Sequence, residues 1–70
     1  MADNKLYALM HERGITLKAL GDQSGVAWKT IRDYTQGRHK TYTAQAYIIL
    51  RLADALGVHP RDIVDDPPSD

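Results

Sequence analysis

Seventy residues are enough for one small domain; a chain of this size buries only about 60% of its unfolded surface, so marginal stability is expected unless copies associate. With 43% hydrophobic and 26% charged residues the composition is that of an ordinary globular chain, and the lack of cysteine excludes a disulfide framework and a thiolate zinc site. Nine basic residues balance nine acidic ones, which excludes a uniformly basic surface.

The charges are nevertheless segregated. Between Ala27 and Thr43, four cations (Lys29, Arg32, Arg38 and Lys40) stand against Asp33 alone, a net of +3. From Ala53 onward, five aspartates stand against Arg61, a net of −4. A neutral protein polarised in this way can still present a positive face, and the alternative is a charge run on an ordinary solvated surface. No signal-peptide pattern opens MADNKLYALM, and the longest apolar run, AYIILRLADAL, is interrupted by Arg51 and Asp54 and is too short to cross a bilayer. A soluble, cytoplasmic protein, nucleoid-associated, is expected, with no membrane contact.

Residues 3–13 predict a first helix, capped by Asp3 or Asn4, with Leu6, Leu9, Met10 and Arg13 at helical spacing. Gly14 ends it and Ile15 turns inward. Thr16 is a good N-cap for a second helix, in which Leu17, Leu20 and Gly21 share a face. A tight turn follows at Ser24-Gly25-Val26. A third helix runs from about Ala27 to Gln36, with Ala27, Ile31 and Tyr34 inward, Lys29, Arg32, Asp33 and Gln36 outward, and Trp28 on the border. Gly37 closes it. After the polar loop RHKTYT, Thr41 or Thr43 caps a fourth helix from about Ala44 to Leu56, whose stripe is Ile48, Ile49, Leu52, Ala53 and Leu56. Gly57 ends that helix, and His59-Pro60 opens a last short one, Arg61 to Val64, that buries Ile63. The expected architecture is all-α, a compact bundle of about five short helices over residues 1–65, with a frayed acidic tail at 66–70 and Asp65-Asp66 as solvated charges.

Two helices joined by a glycine-bearing turn form a helix-turn-helix. The span ITLKALGDQSGVAWKTIRDYTQG resembles that motif in the Cro and lambda-repressor family: Thr16, Leu20, a small residue at Gly21, Gly25-Val26, Thr30-Ile31, and Gly37 followed by basic residues. LRLADALGV (Leu50 to Val58) is similar to the family's fourth helix and HPRDIV (His59 to Val64) to the start of its fifth, so the likeness covers roughly residues 6–64. It implies double-stranded DNA as partner, with the third helix in the major groove. The family's base-reading positions correspond here to Ala27, Trp28, Lys29, Arg32 and Asp33.

Lys29 and Arg32 suit guanine, whose O6 and N7 both accept; Asp33 suits the cytosine N4 donor. Each has a plainer reading: an exposed helix face for the two cations, and pairing with Lys29 or a nearby turn for Asp33. Trp28 either meets thymine methyls and the sugar–phosphate wall or covers the domain's own core. Thr16, at a helix N-terminus, offers an anion site, and Gln36, Arg38 and Lys40 match family positions that grip phosphates. The chain departs from the family pattern at four places. Leu17 replaces a glutamine that clamps phosphate, and Ala27 replaces a serine or threonine. An arginine–glutamate pair is represented by Met10 and Thr35, leaving a more apolar contact or none.

His11, His39 and His59 lack ligand spacing, so no metal or other cofactor is expected, and no small-molecule ligand is evident. Serine occurs only at Ser24 and Ser69, which excludes a nucleophilic triad; no enzyme is expected. The leading function is a sequence-specific DNA-binding regulator of repressor type, acting as a weak homodimer, with Tyr47, Ile48, Ile49, Ile63 and Val64 as dimer candidates. The alternative is a protein-interaction module, antitoxin-like or regulator-binding, that keeps the fold without DNA.

Overall fold

The computed structural model describes residues 4–67 and is entirely helical over that range. Four α-helices are present: α1, Lys5–Arg13; α2, Leu17–Ser24; α3, Trp28–Thr35; and α4, Ala46–Leu56. Single 3-10 turns at Thr41–Thr43 and Pro60–Asp62 complete it. The Asp3 cap and tail residues 68–70 lie outside the described residues.

The core gathers one stripe from each helix. Leu6 of α1, Leu20 of α2, Ile31 of α3 and Leu52 of α4 are all fully buried, with Ile63 sealing the end. Helix α2 packs on both α3 and α4, and α1 lies against α3.

One side chain ties two helix ends together. The Asn4 Oδ1 accepts from the Tyr7 backbone N–H at 2.8 Å, an N-cap for α1. Its Nδ2 donates to the Tyr34 carbonyl at 2.8 Å, in the last turn of α3, where that oxygen also accepts from the Gly37 N–H. Asn4→Ala loses both functions and is expected to cost about 1–3 kcal/mol. Asn4→Asp keeps the acceptor but puts a carboxylate against the Tyr34 oxygen, so it should restore little of that loss. Urea denaturation of the two variants checks this; full recovery by aspartate would show that only the α1 cap matters.

Three expectations at the C-terminal end need correction. There are four helices rather than about five, because the last expected helix, Arg61 to Val64, is only the 3-10 turn Pro60–Asp62. The Asp62 carboxylate accepts from the His59 N–H at 3.0 Å, and the chain leaves the turn after Val64. Its exit is fixed by Asp65, which is not a solvated charge. Asp65 Oδ1 accepts from the Lys5 N–H at 3.0 Å, Oδ2 accepts from Thr41 Oγ1 at 3.2 Å, and the Asp65 N–H donates to that hydroxyl at 2.8 Å. A carboxylate at the first turn of α1 also complements the helix dipole.

The third correction follows from the second. Thr41, almost fully buried, is occupied by Asp65, and the Thr43 hydroxyl donates to the Lys40 carbonyl at 2.6 Å. Neither threonine is left to cap α4, which starts at Ala46 rather than Ala44 with Gln45 at its N-cap position.

Candidate nucleic-acid interface

The turn between α2 and α3 is built from short contacts. Gly25 has φ +76°, a left-handed conformation that costs glycine no Cβ clash, and its N–H closes α2 on the Gly21 carbonyl at 2.9 Å. The buried Ser24 hydroxyl accepts from the Val26 N–H at 3.2 Å, and Val26 drops into the core. Gly21 lets the two helices approach. A Cβ there would lie 3.1 Å from the Val26 carbonyl oxygen and 3.3 Å from the Trp28 Cβ.

Helix α3 presents two faces. Ile31 and Tyr34 are buried, whereas Lys29 and Gln36 are exposed. Ala27 faces solvent, not the core as its spacing with Ile31 suggests, because it precedes the first turn in extended backbone (φ −55°, ψ 132°). It occupies the N-cap position and makes no side-chain bond. Ala27→Ser supplies the missing acceptor, and a gain of about 0.5–1.5 kcal/mol in urea unfolding is expected; no gain would mean that solvent already serves these N–H groups as well.

Trp28 is part exposed and carries two cations. The Lys29 ammonium lies 6.0 Å from its ring centroid and the Arg32 guanidinium 5.5 Å. Both separations fall within cation–π range, so the indole orders the charged groups beside it. Arg32 is also 3.6 Å from Asp33, whose other oxygen faces the His39 Nε2 at 3.9 Å. Asp33 therefore sits beside Arg32 and the turn after α3, not beside Lys29. Arg32 Nε and Asp33 Oδ1 are buried without hydrogen-bond partners, Oδ1 being the oxygen that faces Arg32 Nη2 at 3.6 Å.

The end of α3 directs the basic loop. Gly37 N–H donates to the Tyr34 carbonyl at 3.2 Å and Arg38 N–H to Asp33 at 2.9 Å, a Schellman closure. The residue that follows the glycine in such closures is commonly apolar, as Ile15 and Val58 are after α1 and α4. In α3 that place belongs to Arg38, which is exposed like Lys40. Thr16 caps α2, its Oγ1 accepting from the Ala19 N–H at 3.1 Å, which leaves the hydroxyl hydrogen to donate outward.

Gln36 and Lys40 meet Leu17, Met10 and Thr35 around one open cleft between α1 and the end of α3. Met10 and Thr35 are both buried there, and the Thr35 hydroxyl donates to the Arg32 carbonyl at 2.9 Å. Of the expected dimer candidates, Ile49 and Ile63 are core residues, Ile48 and Val64 are partly buried, and Tyr47 is exposed. Leu50, which falls outside the apolar stripe of the fourth helix, is 52% exposed one turn from Tyr47.

Two short helices crossing at a glycine, the second carrying an exposed Lys29 and a half-buried Arg32 on its outer side, define a helix-turn-helix DNA-binding domain. The chain belongs to the Cro/C1-type HTH DNA-binding domain family, whose model matches residues 5–69. No curated protein and no solved structure matches it. Among the described residues, no helix is long and apolar enough to cross a membrane.

Proposed function

We propose that this domain is a sequence-specific transcriptional regulator of repressor type, with α3 lying in the major groove of double-stranded DNA. The observation that carries this reading is the outer face of α3, where Lys29 is exposed and Arg32 is held over Trp28 beside it. Ala27, Trp28, Lys29, Arg32 and Asp33 meet base edges, with the two cations directed at guanine. Asp33 reaches cytosine only if it leaves His39. Thr16, Gln36, Arg38 and Lys40 grip phosphates on either side.

Two copies on an inverted repeat would place successive α3 helices about 34 Å apart. The exposed Tyr47 and Leu50 of α4 supply an apolar surface for pairing, weak in the absence of DNA. No catalytic step enters this function.

Selection of bound sequences from a random duplex pool tests the reading directly. An enriched palindromic motif is the expected result. No enriched motif, together with no shift on genomic DNA at low salt, would overturn it in favour of the protein-interaction module.

A further inference from the structure

The open cleft between α1 and the end of α3 has a volume of about 710 Å³, within the size range of small-molecule sites. Its lining is mixed: the apolar part is the buried Met10 with Ile15 and Leu17 half-buried beside it, and the polar part is nearly as extensive. One wall is aromatic, for the Tyr7 and His11 rings stack with centroids 6.2 Å apart and planes within 14°. The rim carries the Lys40 ammonium and the Gln36 amide, and no carboxylate lines the cleft. An apolar floor, a flat aromatic wall and an unopposed cation at the mouth select one kind of occupant. A bare phosphate would leave the floor unused, and a neutral hydrocarbon would leave Lys40 unused.

We propose that this cleft binds a small organic acid with an apolar, planar body, its carboxylate at Lys40 and its ring against Tyr7 and Met10. Gln36 and Lys40 are also two of the four phosphate-gripping residues, so an occupied cleft withdraws them from DNA. This second half rests on the DNA-binding reading; the binding site itself does not.

The test is an amide NMR titration of the full chain with 4-phenylbutyrate, with 4-phenylbutanol and inorganic phosphate as comparators. Phenylbutyrate should move the amides of Met10, Ile15, Leu17 and Gln36, and the alcohol should bind about fivefold more weakly, the contribution of one exposed ion pair. Lys40→Ala, a change at an exposed position, should erase the difference between acid and alcohol while the fold is kept. Equal binding of acid and alcohol to the unaltered chain, or equal movement of these amides by phosphate, would overturn the proposal, as would no movement in the cleft.

With a duplex chosen by pool selection, saturating phenylbutyrate should weaken DNA binding, and Lys40→Ala should raise the concentration needed for half of that response about fivefold. Unchanged DNA affinity despite cleft binding would overturn the coupling. A chain that fails to bind any duplex would leave the NMR result to decide the site alone.

Discussion

Ile31→Ala should leave much of the protein unfolded at ordinary temperature. Ile31 is fully buried at the centre of α3, and isoleucine-to-alanine truncation at such a site costs about 2–5 kcal/mol. A single core of this size supplies only about 3–5 kcal/mol in total. The loss therefore approaches the whole stability of the domain, and the helical signal should fall at zero denaturant. Tyr47→Ala is the control. Tyr47 is 55% exposed, so its truncation should stay within about 0.5 kcal/mol. A fully folded Ile31→Ala protein with a urea midpoint like the parent's would show that the buried stripe is not what holds the domain together.

The second large effect concerns the discrimination between DNA sites. Lys29→Ala and Arg32→Ala should each lose about 1–3 kcal/mol of preference for the selected motif over a mismatched one, roughly 5- to 150-fold. Arg38→Ala should instead weaken all duplexes alike and lower the slope of log affinity against log salt by about one. The reason is geometric. Exposed Lys29 and half-buried Arg32 are carried within helix α3, whereas Arg38 takes part in the Schellman closure with its side chain exposed beyond the helix. Fluorescence anisotropy at several salt concentrations separates the two classes. Uniform loss from all three variants would mean that α3 does not read bases. Affinity that barely responds to salt would point to an apolar protein interface.

Most of the fold was legible because it is encoded locally. Glycine follows each of α1, α2 and α4, and Thr16 and Asn4 are good caps, so these boundaries could be read from single residues. The likeness across residues 6–64 then gave the order of the helices. Two of the failures depended on contacts distant in sequence. Thr41 looks like a helix cap until Asp65, 24 residues away, takes its hydroxyl. Asp65 looks like part of a loose acidic tail until Lys5, 60 residues away, offers its N–H.

The candidate site divides along the same line. Helical spacing separates Lys29 from Ile31, but it could not choose among partners for Asp33, which the fold sets next to Arg32 and His39. Nor could it show that Met10, Leu17 and Thr35, three isolated departures from a family pattern, surround one cleft. Leu50 lies off the apolar stripe that helical spacing predicts for α4, and the fold exposes it.

The Asp65 clasp on the Lys5 amide, at 3.0 Å, has a consequence for engineering. It brings positions 5 and 65 side by side, so a short glycine-rich bridge from Asp65 to Asn4 would close the polypeptide into a ring that keeps the Asn4 cap of α1. Opening that ring at the exposed His39 would give a circular permutant with the same packed interior and new ends in the basic loop.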